Sequence, residues 1–192
     1  MTLYELLNPE KEYLKGKKAI IFDMDGTLID SMYYWARPDE ENLASFASFG
    51  DYMKDKYDNF IEPKPTAFEF LSLLKQNGIP FCFATDTQRW LSAGFFERHP
   101  EWVDIYDFYI DSGDVGTSKR KSGLIYEKAA ERLGFSPQEC LVFEDHKHAV
   151  LAAHELGFAV VGVYDDINAE NAEIIKENSV DYIRDYSELM KK

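Results

Sequence analysis

Five apolar runs, separated by segments with helical spacing, set the strongest limit on how this chain can fold. The runs are Ala19–Phe22, Phe81–Ala84, Tyr106–Ile110, Cys140–Phe143 and Ala159–Tyr164. They read as continuous apolar strands, which belong in a parallel sheet covered on both faces. The spacing between them predicts helices over Thr66–Asn77, Thr87–Arg98, Leu124–Leu133, Ala149–Leu156 and Ala169–Glu177, with a short one in the lead-in Leu3–Leu14. Strands alternating with amphipathic helices define an α/β fold, a Rossmann-like parallel sheet with helices on both faces. Such sheets bind ligands beyond the carboxyl ends of their strands, so the residues that follow each run carry the functional information.

One stretch breaks this rhythm. Residues 32–65 hold Tyr33, Tyr34, Trp35, Phe46, Phe49, Tyr52, Met53 and Tyr57 among many charges, and end in Pro63-Lys64-Pro65. The pattern predicts one or two short helices inserted directly after the first strand, within a single domain spanning 1–192.

The first run ends in Asp23-Met24-Asp25-Gly26-Thr27. Side chains alternate along extended backbone, so Asp23 and Asp25 approach one locus while Met24 points away. Buried carboxylates are costly unless a cation compensates, which points to a divalent metal and a phosphoryl group. Asp23 is then the candidate nucleophile and Asp25 the candidate general acid and base. Phosphoryl transfer otherwise needs positioning and charge neutralisation, and the other strand ends offer both. Thr85 can donate to a phosphate oxygen, and Thr87 reads as the N-cap of the following helix. Lys119-Arg120-Lys121 follows the third run, a basic cluster in a chain of net charge −14. Glu144-Asp145 ends the fourth run, with the hard oxygen ligands that Mg2+ takes. Asp145 is the better direct ligand, and Glu144 acts through water or holds a backbone amide or a lysine.

In this order, Asp23-Met24-Asp25-Gly26-Thr27, Thr85, the lysines at 119–121 and Glu144-Asp145 resemble the four motifs of the haloacid dehalogenase-like hydrolases. The chain resembles most the beta-phosphoglucomutase-like phosphatases, which carry a helical cap after the first strand. Tyr164-Asp165-Asp166 and Asp181-Tyr182-Ile183 look like the late strands of that group. The resemblance implies a hydrolase core with a cap at 32–65 and a magnesium-dependent phosphatase passing through an aspartyl phosphate on Asp23. It implies metal binding by Asp23, the Asp25 carbonyl and Asp145. Relatives that displace halide lack the second acid, so Asp25 argues for phosphate chemistry. The usual Lys-Pro-x-Pro of the third motif lacks both prolines here, which leaves Lys119 as the candidate lysine and Lys121 as its alternative. The insertion is shorter than the group's usual cap, which weakens a phosphomutase reading without removing it. A weakly catalytic binding or regulatory module is the alternative from another class.

The acidic balance repels nucleic acid and anionic membrane, so the expected partner is a small phosphorylated metabolite such as a sugar phosphate or nucleotide. Two cysteines, Cys82 and Cys140, lie in apolar runs and read as core residues of a cytoplasmic protein. The charged stretch Met1–Lys18 reads as neither signal peptide nor membrane span. The expected assembly is a monomer or weak dimer. His146 and His148 read as surface or capping residues, Trp35 and Tyr33 as packing or the substrate mouth, and Arg89 as solvated or facing an anion.

Overall fold

Alternation along the first strand, β1 (Ala19–Phe22), sorts its side chains into two cores: Ile20 and Phe22 enter one, Ala19 and Ile21 the other. The computed structural model describes residues 2–191. The remaining strands are β2 (Phe81–Thr85), β3 (Tyr109–Asp111), β4 (Cys140–Glu144), β5 (Ala159–Val163) and β6 (Asp181–Ile183). All pair in parallel, in the order β3-β2-β1-β4-β5-β6. The fold is therefore the α/β Rossmann-like parallel sheet.

The helices are α1 (Leu3–Leu6), α2 (Met32–Ala36), α3 (Glu40–Leu43), α4 (Phe49–Asn59), α5 (Ala67–Gln76), α6 (Arg89–Arg98), α7 (Ser112–Val115), α8 (Leu124–Leu133), α9 (Lys147–Glu155) and α10 (Ala172–Glu177). Helices α4, α5 and α6 cover the face carrying Ile20 and Phe22, together with the chain ends. Helices α8, α9 and α10 cover the face carrying Ala19 and Ile21. Each fully buried Leu or Phe in these layers stabilises the fold by about 1.5–3 kcal/mol. Cys82 and Cys140 are both buried and unpaired.

On the first face Tyr186 stacks on Phe70 at 5.2 Å and on Phe143 at 5.9 Å. Its buried hydroxyl donates to the Thr27 carbonyl at 3.0 Å. The aromatic core thus supports the loop that follows β1, and packing on this face fixes the position of that loop.

Residues 32–65 form three helices, α2, α3 and α4, rather than one or two. They sit on the core. A Cβ at Gly94 of α6 would come within 2.6 Å of the Asp58 Cα, so α4 and α6 meet backbone to backbone. Lys56 closes this layer from within. Its ammonium lies 4.7 Å from the Tyr52 ring centre, 4.8 Å from Phe60 and 5.5 Å from Phe46, and pairs with Asp55 at 2.8 Å. Three aromatic faces and a carboxylate offset the cost of burying that charge.

Among the boundaries that differ from the sequence expectation, two do so for local chemical reasons. Strand β3 starts at Tyr109, not Tyr106, because Asp107 turns its carboxylate to accept from the Phe81 amide at 3.0 Å. Helix α6 starts at Arg89 with Gln88 in the capping position, not Thr87. The Thr87 hydroxyl is instead given to Asp25.

Candidate active site

The sheet order changes direction at β1: β2 and β3 lie on one side, β4, β5 and β6 on the other. The crevice where the order reverses is the place for a ligand in a sheet of this kind. Phe22 pairs with Phe143, and the Asp23 amide donates to the Phe143 carbonyl at 3.0 Å, so Asp23 leaves the sheet beside Glu144-Asp145. The Met24 carbonyl then accepts from the amides of Thr27, Leu28 and Ile29, which closes a tight turn. Gly26 sits in that turn at φ +82°, and a Cβ there would fall onto the Asp145 carboxylate and within 2.6 Å of Met32 Cγ. Only glycine satisfies both the backbone angle and the close approach. We expect Gly26→Ala to cost at least about 1–3 kcal/mol and to displace Asp145; thermal unfolding with and without metal reads both effects.

Asp23 and Asp145 are almost completely buried. Thr27 donates its hydroxyl to Asp145 Oδ1 at 3.0 Å, with Asp23 Oδ2 at 3.4 Å, and Asn168 Nδ2 donates to Asp145 Oδ2 at 2.5 Å. Lys119 is buried and forms ion pairs with both Asp23 and Glu144. Its backbone amide donates to Asp86 Oδ1 at 2.9 Å, and Ser118 donates to Asp86 Oδ2 at 2.6 Å. Asp86 therefore folds the loop that delivers the lysine. Lys121, the alternative, is exposed and outside this cluster, because the loop register turns residue 119 inward.

Glu144 serves the lysine. Its Oε1 accepts from Lys119 and from the Tyr126 hydroxyl at 3.0 Å, and its Oε2 accepts from the His146 amide at 2.8 Å. With both oxygens engaged, Glu144 holds Lys119 and a backbone amide, which is the alternative to direct coordination that the sequence left open for it.

Asp25 is half-buried across the same cavity. Its Oδ1 accepts from Ser31 at 2.6 Å and from Tyr57, and its Oδ2 from Thr87 at 2.7 Å and Thr85 at 3.4 Å. The cavity measures about 510 Å³. Asp23, Asp25, Thr85, Lys119 and Asp145 line its floor, and Trp35, Arg120, His146, Ile167 and Asn168 its walls and mouth. Tyr33 lies outside it, 56% exposed. Arg89 is turned away onto the Tyr109 ring and carbonyl. His146 precedes α9, so its ring stands 5.5 Å from His148 instead of diverging around a helix.

Four carboxylates and one ammonium leave the floor with excess negative charge. Burial, and next Glu144, push Asp23 well above the usual carboxylate range. The same two causes raise Asp145 from 3.8 to about 7. Burial alone would lower Lys119, but Asp23, Glu144 and Asp86 outweigh it and keep the ammonium charged. Burial holds His146 down at about 4, a neutral imidazole. One oxygen from each of Asp23, Glu144 and Asp145 lies within 4.8 Å of the others. An excess of buried, hard oxygen donors fits a divalent cation.

The raised carboxylates give a signed prediction. A group whose folded pKa lies above its unfolded one contributes stability below the unfolded value and loses it as pH rises through the folded value. Metal-free protein should therefore lose stability between about pH 4, where unfolded Asp145 titrates, and about pH 7, where the folded one does. A divalent cation competes with those protons, so added magnesium should raise Tm more at pH 8 than at pH 5, as read by scanning fluorimetry.

Some of these participants escaped the sequence reading. Tyr57, Asp86, Tyr126 and Asn168 are ordinary residues in their local context and carry no spacing signal. Among the described residues, no helix is long and apolar enough to cross a membrane.

The parallel sheet thus carries buried acids at its switch point, with a lysine paired to two of them and Asp25 across the cavity. The model of the haloacid dehalogenase-like hydrolases matches residues 36–157, and the chain belongs to that family. The matched span begins beyond Asp23 and Asp25, so the case for those two acids rests on the geometry. The chain is 27% identical over 193 residues to the protein CbbY of Rhodobacter capsulatus, covering 75% of this chain and 84% of that one. It is 31% identical to a phosphoglycolate phosphatase of Neisseria gonorrhoeae over 62% of this chain, and spans about half of that relative, 49%. Structures with the same fold include CbbY from Rhodobacter sphaeroides in complex with phosphate (TM-score 0.72, 16% identity, 90% of this chain and 96% of that one). Beta-phosphoglucomutase from Clostridium difficile also superposes (TM-score 0.64, 18% identity, 88% and 91%). Relatives of the chain include proteins named as phosphatases, and its class is phosphoric monoester hydrolase.

Proposed function

We propose that this chain is a magnesium-dependent phosphatase of small phosphomonoesters, of the sugar phosphate or nucleotide class, acting through an aspartyl phosphate on Asp23. The observation that carries the reading is the buried ion pair of Asp23 with Lys119, set beside Asp145 and facing Asp25 across one cavity. An Asp23 oxygen attacks phosphorus, and the P–O bond to the leaving alcohol breaks as Asp25 gives that oxygen its proton. Water then attacks the phosphoryl group, Asp25 takes the water's proton, and the Asp23 carboxylate returns as inorganic phosphate leaves. Thr85 donates to a phosphate oxygen, and Lys119 screens the charge between nucleophile and substrate. Magnesium, held by Asp23, Asp145 and the Asp25 carbonyl, supplies the remaining positive charge when bound.

The insertion supports hydrolysis over phosphomutase chemistry. It is short, packs backbone to backbone on α6 and contributes Met32, Trp35 and Ala36 of α2 to the cavity lining, whereas a mutase must shield its phosphoenzyme from water. The two unpaired buried thiols support a reducing compartment, and we place the protein in the cytoplasm. A magnesium-supplemented panel of phosphorylated metabolites, with released phosphate as the readout, tests the function. Release that disappears with EDTA supports the reading; release unaffected by EDTA, or none across the panel, overturns it.

A further inference from the structure

The mouth of the site is joined to the insertion by a chain of hydrogen bonds that the phosphatase reading does not require. Trp35 of α2 donates Nε1–H to the Tyr57 hydroxyl at 3.2 Å, and that hydroxyl donates to Asp25 Oδ1. Tyr57 of α4 is completely buried, 32 residues from the acid it touches. Ser31, the residue immediately before α2, donates to the same oxygen. The other oxygen, Oδ2, accepts from Thr87 and Thr85, both of which line the cavity. The two oxygens of Asp25 are thus inequivalent. Oδ1 is gripped by the insertion, and Oδ2 faces the phosphate-side residues.

We propose that Tyr57 is a positioning residue that anchors Asp25 by Oδ1, leaving Oδ2 as the oxygen that exchanges a proton with the leaving group. The insertion then acts as a fixed clamp on the acid. This rests on the reading of Asp25 as general acid. Each oxygen receives two hydroxyls, and what separates them is where those hydroxyls come from: Ser31 and the deeply buried Tyr57 hold Oδ1, while the Oδ2 donors Thr87 and Thr85 line the cavity that a substrate enters. Thr85, at 3.4 Å, is the most weakly held partner and the one a substrate phosphate displaces most easily. The close seat of α4 on α6 at Asp58 and Gly94 keeps Tyr57 in register with the floor.

The consequence is specific to substrates that need an acid. An alkyl leaving group must be protonated as it departs, whereas p-nitrophenolate leaves without help. Tyr57→Phe keeps the ring and removes only the donor. The experiment compares single-turnover release of alcohol from 2-glycerophosphate with release of p-nitrophenol from p-nitrophenyl phosphate, in parent, Tyr57→Phe and Trp35→Phe, with magnesium present. Tyr57→Phe should slow the alkyl ester by at least about tenfold more than the aryl ester, with KM for each within about twofold. Trp35→Phe, which leaves Tyr57 in place but removes its donor, should show the same bias to a smaller degree.

Equal slowing of both esters, or a change confined to KM, overturns the proposal. If Tyr57→Phe fails to fold, Trp35→Phe decides: an unchanged alkyl-to-aryl ratio in that variant overturns it, and a lowered ratio supports it. A parent protein that cleaves neither ester overturns the phosphatase reading itself, which separates the two failures.

Discussion

Asp23→Asn is expected to lower turnover of any accepted phosphomonoester by at least about four orders of magnitude while leaving the fold intact. An amide keeps the shape of the side chain but lacks the charge and nucleophilicity needed to form the acyl phosphate. Stability should move the other way. Asp23 is buried against Glu144 and Asp145, and burial followed by Glu144 pushes its carboxyl well above the ordinary range. Removing one of these crowded charges relieves repulsion, so metal-free Asp23→Asn should melt at or above the parent temperature. Loss of activity together with a lower Tm would indicate a structural role; a variant retaining more than about a hundredth of parent turnover would exclude Asp23 as nucleophile.

Lys119→Met should have the largest effect on stability. Lys119 is the ammonium paired with Asp23 and Glu144, and all three side chains are almost completely buried. Removing one member of a buried ionic cluster leaves uncompensated charge, which costs about 3–5 kcal/mol. Denaturant unfolding without metal reads this directly. The loss should be greater at pH 8 than at pH 5, because carboxylates with raised folded pKa values contribute stability only while protonated. Adding Glu144→Gln removes the charge that Lys119 neutralised from behind. The double variant should therefore recover part of the lost stability without recovering turnover. Failure of Glu144→Gln to restore any stability would show that Glu144 and Lys119 are not energetically coupled.

Much of the floor was legible because its logic is short-range. Asp23 and Asp25 sit at i and i+2 after an apolar strand, and extended backbone alone brings such residues near one locus. Glu144-Asp145 ends the neighbouring strand, and parallel pairing of Phe22 with Phe143 makes the two acidic ends adjacent. The sequence favoured Lys119 and kept Lys121 as its alternative, because the inward turn of residue 119 depends on a loop whose register is set by Asp86, more than thirty residues away. For Glu144 the sequence left water-mediated metal binding open beside holding an amide or a lysine; Lys119, Tyr126 and the His146 amide occupy both its oxygens. Thr87 read as a helix cap because its local position is that of a cap, yet Asp25 takes its hydroxyl.

The insertion illustrates the same divide. Its aromatic residues and proline ending marked residues 32–65 as a separate structural feature, but their spacing gave no indication of where α4 would dock. That was decided by the close approach of Gly94 and Asp58 and by the aromatic box around Lys56. Docking α4 there delivers Tyr57 to Asp25.

The sequence by itself determined the layered α/β fold and the acidic ends of β1 and β4, since burial periodicity and strand alternation act over a few residues. Only the tertiary structure decided which lysine enters the site, which acid supports it and which helix holds Asp25. Those contacts join segments distant in the chain, and their formation depends on packing and loop register that no local pattern encodes.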